Sequence, residues 1–247
     1  MRPAPSSLRS ADVDVVAVTH GRDVGPELLG DVVAARGHTL VEWPIEERGA
    51  PPQVADAVVV LGGHQNVGEE SRYPWLEDEY TALRSWVESE TPLLGVCLGG
   101  QTLAHALGGT VRRLDAQLAG FYETTLTPDG LADPVLGALP ERFDAFNGNG
   151  YAFEPPPGAV TLADGPVTQA FRVGNSAWGV QFHPELKRWS VESWFAHDPE
   201  LARRVDAQRP ELETWTPLGA RLFGAFLDVA RSRTRSRFES RPAAPSV

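Results

Sequence analysis

The stretch PLLGVCLGGQTLAHALGG (residues 92–109) joins a short apolar run, a glycine-rich turn and a second apolar segment with helical spacing. PLLGVC (92–97) is typical of a buried strand, and LGGQTLAHALGG (98–109) predicts a short helix that ends at its closing glycine pair. A strand that passes directly into a helix is the building unit of an α/β fold. The only cysteine of the chain, Cys97, lies at this junction.

Strand-like and helix-like segments also alternate through the first half of the chain. Predicted strands are VDVVAVTH (13–20), HTLVEWPI (38–45) and ADAVVVLGG (55–63); predicted helices are PELLGDVVAARG (26–37) and YPWLEDEYTALRSWVESE (73–90). The second half has shorter strand-like runs separated by turns, followed by two helical segments. We therefore expect a three-layer α/β fold with a mainly parallel central sheet flanked by helices, plus a small antiparallel extension.

Composition limits the functional classes. The chain has 247 residues, 42% of them apolar, and a net charge of −11, which disfavours binding to nucleic acid or to an anionic membrane. A single cysteine excludes an internal disulfide, and no apolar run approaches the roughly 18 residues of a membrane span. The N-terminus lacks the apolar core of a signal peptide, so we expect a cytoplasmic protein. We expect a disordered segment at 1–12, one domain at 13–231 and a flexible basic tail at 232–247.

Cys97 has two interpretations on local sequence alone. A residue at a sharp strand-to-helix turn is held above the end of the sheet, where the helix N-terminus stabilises negative charge on the sulfur. Free cysteine is, however, among the most buried residue types, so a structural role is equally open.

The segment AWGVQFHPE (177–185) favours the nucleophile. It is another apolar strand, and it ends in His183, Pro184 and Glu185. A histidine at one strand end can serve as the base for a cysteine at another, and a nearby carboxylate can orient the imidazole. The sequence therefore predicts a triad of Cys97, His183 and Glu185.

GVCLGGQTLAHALGG together with VQFHPE resembles the class I (triad) glutamine amidotransferases, most closely the stand-alone, GMP-synthase-like subgroup. LGGHQNVGEESRYPWLEDE resembles the oxyanion strand of that family and its following loop. The resemblance covers roughly residues 13–230 and implies a flavodoxin-like fold. It also implies that glutamine is hydrolysed through a thioester on Cys97.

The resemblance extends to residues around the triad. It implies that the backbone N–H groups of Gly63 and Leu98 hold the oxyanion and that Gln101 helps to hold the substrate. Nearer relatives carry a His-Trp-His-Gly-Asp type loop where this chain has FNGNGYAF (146–153). The resemblance implies that Gly150 and Tyr151 touch the substrate there, and the departure leaves L-glutamine and other γ-glutamyl compounds open.

Three functions remain open from the sequence. The first is a glutaminase that passes ammonia to a separate synthase or ligase, with HQNVGEESRYPW (64–75) and AQLAGFYE (116–123) as candidate partner surfaces. The second is a stand-alone γ-glutamyl hydrolase or peptidase that uses the same triad. The third is a non-catalytic binding domain. Histidines without ligand spacing indicate no metal, and the glycine pairs lack the Gly-Lys-Ser/Thr of a phosphate loop, so we expect no cofactor.

Overall fold

The computed structural model describes residues 12–21, 24–187, 189–190, 194 and 199–239. The strands are β1 (Asp14–Thr19), β2 (Thr39–Pro44), β3 (Ala57–Val60), β4 (Leu93–Val96), β5 (Thr110–Leu126), β6 (Arg142–Glu154), β7 (Val160–Asp164), β8 (Thr168–Val173) and β9 (Ala177–Val180). The helices are α1 (Glu27–Ala35), α2 (Ile45–Arg48), α3 (Trp75–Glu88), α4 (Leu98–Ala106), α5 (Pro128–Ala132), α6 (Pro199–Asp206) and α7 (Arg209–Glu239), with a short 3₁₀ turn at Leu136–Ala138.

The nine strands found among the described residues form one sheet in the order β2-β1-β3-β4-β9-β8-β7-β5-β6. In this order, each neighbouring pair from β2 as far as β9 is parallel, and each neighbouring pair from β9 as far as β6 is antiparallel. The α/β fold predicted from the sequence is thus confirmed. The antiparallel part is more extensive than expected, because β5 has 17 residues and β6 has 13.

Within the parallel part, β1, β3, β4 and β9 are buried on both faces, as their continuous apolar runs predict, whereas the edge strand β2 has no buried residue. Alternate residues of β1 pack into two separate cores: Val15 and Ala17 face the core that contains α7, whereas Val16 and Val18 face the core that contains α3 and α4. Helices therefore cover both sides of the sheet, which gives the expected three layers. This packing fixes the carboxyl ends of β1, β3, β4 and β9 along one edge.

The last helix extends further than the sequence suggests. We expected a flexible tail from 232, but α7 continues to Glu239, and residues 240–247 and 1–11 lie outside the described residues. Arg233 holds this part of the helix, because its guanidinium donates to the carbonyls of Glu90 and Asn175 at 2.9 and 3.0 Å. No helix in the described part of the chain is long and apolar enough to cross a membrane.

Candidate active site

Cys97 occupies a sharp turn between β4 and α4. Its φ of 51° and ψ of −105° lie where L-residues are rarely found, and its side chain is 6% exposed. Close packing imposes the turn, since a Cβ on Gly99 would lie 2.1 Å from the carbonyl oxygen of Val60. Strained backbone of this kind clusters at functional sites. The structure thus holds Cys97 at the sheet edge, as its sequence context predicted.

His183 reaches the same edge from β9, which is the neighbour of β4. Its ring Nδ1 lies 2.8 Å from Oε1 of Glu185, and its backbone N–H donates to the carbonyl of Phe146 at 2.9 Å. The indole of Trp215 donates to the His183 carbonyl at 2.9 Å. With Nδ1 directed at Glu185, the remaining nitrogen, Nε2, is the one available to Cys97. The three predicted triad residues therefore meet in one place.

The charges around His183 favour its protonated form. Burial by itself lowers the pKa of this imidazole, but negative charge on Cys97 and on Glu185, with hydrogen bonds to both, raises the pKa well above 6.5. Glu185 is fully buried, and its Oε2 has no hydrogen-bond partner among the described residues. Its charge is therefore available to His183, and the imidazolium form is stabilised.

The glycine pair after β3 passes directly in front of the triad. A Cβ on Gly62 would lie 3.0 Å from Cε1 of His183 and 3.7 Å from Cβ of Cys97. A Cβ on Gly63 would lie within 2.8 Å of Gln65, His20 and Leu98 side-chain atoms. Only glycine allows such a close backbone approach.

A cavity of about 170 Å³ opens at this point, and all five residues expected to contact substrate line it: Gly63, Leu98, Gln101, Gly150 and Tyr151. Cys97 also lines it. Gly150 and Tyr151 belong to the long strand β6, however, and not to the loop expected at FNGNGYAF. The physical reason is pairing with β5, which continues on both sides of an irregularity between Arg113 and Leu118.

Side-chain amides organise the wall beside the sulfur. The Gln101 amide donates to the Tyr151 carbonyl at 2.9 Å, and the Asn149 amide donates to the same carbonyl at 2.8 Å. Gln181, which is fully buried, directs its Nε2 at the Cys97 sulfur at 3.7 Å. The Gln101 amide lies 3.5 Å from the Gln181 Oε1, so these two glutamines are linked.

Sequence reasoning missed Gln181 and Gln117. Gln181 could have been found, because it precedes His183 by two residues and side chains two apart share a face in an extended chain. Gln117, which the sequence predicted only as part of the candidate partner segment 116–123, lines the cavity from the irregular part of β5. Among the described residues, no group of three or more His, Cys, Asp or Glu side chains is arranged to hold a metal ion.

Glu27 provides a pH-dependent test of the packing behind the triad. Its carboxylate accepts from the Ser190 hydroxyl and from the Lys187 N–H. Burial, opposed by the Ser190 hydrogen bond and reinforced by Glu185, raises the pKa of Glu27 from 4.5 to about 7. The folded protein then keeps a proton that the unfolded chain has released. We expect the free energy of unfolding to fall by about 1–3 kcal/mol, relative to Glu27→Gln, as pH rises from 4.5 to 7.

Chemical denaturation at a series of pH values measures this difference. Glu46→Gln, which removes an exposed carboxylate from the nearby α2, is the control. A difference between wild type and Glu27→Gln that stays constant from pH 4.5 to 7 would contradict the assignment.

Comparison with known proteins identifies the family to which this chain is similar. Residues 28–190 match the family model described as "Glutamine amidotransferase class-I". The chain is 32% identical over 136 residues to a glutamine-hydrolyzing GMP synthase subunit of Saccharolobus solfataricus, covering 53% of this chain and 68% of the relative. It is 30% identical over 198 residues to a glutamine amidotransferase-like protein, YfeJ, of Salmonella typhimurium, covering 73% and 81%.

Two further comparisons concern length and fold. A glutamine-hydrolyzing GMP synthase of Pyrobaculum aerophilum is 31% identical over 66% of this chain, but the match spans only 31% of that longer protein. The crystal structure of a glutamine amidotransferase from Thermotoga maritima superposes with a TM-score of 0.78 at 26% identity, covering 89% of this chain and 98% of that one.

Proposed function

The chain belongs to the class I glutamine amidotransferase family, and we propose that it hydrolyses the glutamine side-chain amide and supplies the ammonia to a separate synthase or ligase. The observation that carries the proposal is the meeting of Cys97 with the His183–Glu185 pair at one wall of a cavity of about 170 Å³. Nucleophile, base and orienting carboxylate are thus in the order that covalent amide hydrolysis requires.

Each proposed step uses a described group. The Cys97 sulfur attacks the amide carbon of the substrate, and its proton resides on His183. The carbonyl oxygen becomes an oxyanion, which accepts hydrogen bonds from the N–H groups of Gly63 and Leu98. His183 then gives its proton to the amide nitrogen, the carbon–nitrogen bond breaks, and ammonia leaves. Water, deprotonated by His183, hydrolyses the remaining thioester to glutamate and restores the thiol.

One part of the cavity lining suits the amino-acid end of the substrate. We propose that Gln101, Gly150 and Tyr151 hold this end, since all three line the cavity that contains Cys97. The hydrogen bond from Gln101 to the Tyr151 carbonyl fixes the distance between α4 and β6. The packing of α4 against β6 therefore sets the length of substrate that reaches Cys97. A reaction that depends on exact placement of the reacting atoms requires such a fixed distance.

The proposed partner is supported by the surface around the cavity mouth. His64, Gln65 and Asn66 line the cavity from one candidate partner segment, and Gln117 lines it from the other. A relative named as one subunit of a glutamine-hydrolyzing GMP synthase supports delivery of ammonia to a second chain. The proposal includes a cytoplasmic location, which is compatible with the absence of an internal disulfide in a chain with one cysteine.

The decisive experiment measures glutamate release by the purified chain from glutamine and from a panel of γ-glutamyl amides and peptides. If ammonia delivery is the function, release from glutamine should be slow, and release from every bulkier γ-glutamyl compound should be slower still. Fast release from a γ-glutamyl conjugate would replace ammonia delivery by the γ-glutamyl hydrolase function. Absence of all release, with a Cys97→Ser protein that still fulfils the biological role, would favour a non-catalytic binding domain.

His183 and Glu185 should contribute unequally to kcat. His183→Ala should lower kcat for glutamate release at least about 1,000-fold, because the proton acceptor itself is lost. Glu185→Ala should lower kcat about 100-fold, because it removes orientation and charge at Nδ1 but leaves the base. Steady-state glutamate release measures both, with Glu77→Ala, an exposed glutamate on α3, as the matched control. A Glu185→Ala protein that is slower than His183→Ala would contradict this order.

A further inference from the structure

His20 and Glu79 form a fully buried ion pair that the proposed reaction steps do not use. Both side chains are 0% exposed, and the His20 Nε2 lies 2.5 Å from Oε2 of Glu79. The other carboxylate oxygen, Oε1, has no hydrogen-bond partner in the described part of the chain. Burying two ionisable groups is costly unless they are paired, so Glu79 depends on His20 for compensation of its charge.

The hydrogen bonds of the ring fix its protonation. His20 Nδ1 lies 3.0 Å from the carbonyl oxygen of Gly62, which can only accept, and Nε2 faces the Glu79 carboxylate. Nδ1 must therefore donate to the carbonyl, and with Glu79 ionised Nε2 donates as well, which makes the ring an imidazolium. Burial lowers the pKa of His20, but the charge and hydrogen bond of Glu79 outweigh burial and raise it. Trp75 stacks on the ring at 5.2 Å and 15°, a favourable arrangement for a cation.

The atom that receives this hydrogen bond belongs to a particular peptide unit. The Gly62 carbonyl and the Gly63 N–H are the two ends of one planar peptide group. Donation to the carbonyl oxygen fixes the plane of that group and polarises its N–H, since linked hydrogen bonds strengthen one another. The Gly63 N–H is one of the two donors assigned above to the oxyanion.

A second hydrogen bond joins His20 to the turn that contains Gly62 and Gly63, and in this one His20 is the acceptor. The Gln65 amide donates to the His20 carbonyl at 2.9 Å, so residue 20 contacts the turn through both its backbone and its side chain. A Cβ on Gly63 would lie 2.7 Å from the His20 Cβ, which shows how closely the two segments pack. Rotation of the Gly62–Gly63 peptide therefore requires displacement of His20.

We propose that the His20–Glu79 ion pair is a positioning device that orients and polarises the Gly62–Gly63 peptide as an oxyanion donor. This inference rests on the proposed function for its catalytic consequence. The pair acts on the transition state through the Gly63 N–H and does not touch substrate. Loss of an oxyanion donor costs about 100- to 1,000-fold in kcat in other enzymes, and weakening one should cost less.

Two variants separate the charge of the pair from its hydrogen bond. Glu79→Gln removes the negative charge but lets a neutral His20 keep its donation to Gly62, and we expect kcat for glutamate release to fall about 10-fold with KM within about twofold. His20→Ala removes both, and we expect a fall of about 100-fold. The double variant His20→Asn with Glu79→Gln restores a neutral donor and leaves no buried charge, so it should recover part of the activity lost in His20→Ala.

Alkylation of Cys97 by iodoacetamide is the internal control. The sulfur displaces iodide from a saturated carbon, so a carbon–sulfur bond forms, a carbon–iodine bond breaks, and no oxyanion develops. We expect the alkylation rates of the three variants to stay within about twofold of wild type. Equal losses in alkylation rate and turnover would mean that His20 has a general structural role, and this result would overturn the proposal. A His20→Ala protein with unchanged turnover would also overturn it.

Nuclear magnetic resonance tests the pair independently of turnover. The wild-type protein at neutral pH should show both His20 ring nitrogens protonated, and the Gly63 amide signal should shift upfield in Glu79→Gln. A neutral His20 ring, or a Gly63 signal that does not respond, would overturn the positioning role. If the wild type releases no glutamate but both signals behave as expected, the proposed function fails while the coupling of His20 to the Gly63 amide stands.

Discussion

Cys97→Ala should lower glutamate release at least about 1,000-fold, because no other nucleophile stands near the amide carbon among the cavity-lining residues that the structure describes. Cys97 is the only cysteine of the chain, and it lines the cavity with Gly63, Leu98 and Gln101. A glutamine-like electrophile should accordingly label wild-type protein once and Cys97→Ala protein not at all. Release assays and intact-mass measurement of the labelled protein check the two statements. Turnover of Cys97→Ala within tenfold of wild type would exclude the covalent mechanism.

The backbone at Cys97 supplies the matched control for that experiment. Cys97→Gly also lacks the thiol and should be equally inactive, but glycine adopts a φ of 51° without strain. We expect Cys97→Gly to exceed Cys97→Ala in free energy of unfolding by about 1 kcal/mol. Denaturant titration of the two variants measures this difference. Equal stabilities would mean that the turn at Cys97 is not strained.

Much of the candidate site was accessible from the sequence, because parallel strands end at a common edge. Cys97 and His183 each follow an apolar run, and in the sheet these runs are the neighbours β4 and β9. Glu185 lies two residues beyond His183, so its proximity required no knowledge of the fold. The glycines at 62, 63 and 99 were equally predictable as points of close backbone approach.

The rest of the site depends on contacts between residues far apart in the sequence, which local sequence patterns do not predict. His20 and Glu79 are 59 residues apart, and although Glu79 ends the stretch LGGHQNVGEESRYPWLEDE, no sequence pattern pairs it with His20. Their pairing follows from the order of β1 beside β3 and from the position of α3 above that edge. The irregular pairing that brings Gln117 to the cavity is a property of β5 and β6 together.

The extent of the antiparallel sheet was underestimated for a related reason. TVRRL and GFYETTLTP are typical of separate short strands, because the polar Asp115 and Gln117 interrupt the pattern between them. In the structure one strand, β5 (Thr110–Leu126), continues through this segment, since β6 pairs with it on both sides of the irregularity. Local polarity therefore marked an irregularity in the strand pairing and not a strand end.

Gly99→Ala should reduce both stability and turnover, although it adds one methyl group. The new Cβ would lie 2.1 Å from the carbonyl oxygen of Val60 and 2.7 Å from its carbonyl carbon, both in β3. Strand backbone cannot yield, so α4 must move away from the sheet. We expect the free energy of unfolding to fall by about 2–3 kcal/mol, as for other overpacked cores.

The catalytic consequence follows from the position of Gly99 in the first turn of α4. A shift of α4 displaces the Leu98 N–H and the Cys97 sulfur together, relative to the Gly63 N–H on the β3 side of the cavity. A displacement of about 1 Å in a reacting group costs about 100-fold in turnover, and we expect Gly99→Ala to lose about that much kcat. Gly30→Ala, in the helix α1, is the control, because its Cβ would meet only Leu40 Cδ2 at an ordinary 3.8 Å. That variant should gain about 0.5–1 kcal/mol of stability and keep full activity, since alanine favours helix over glycine. If Gly99→Ala matched Gly30→Ala in both measurements, the close contact between α4 and β3 would not be what positions Cys97.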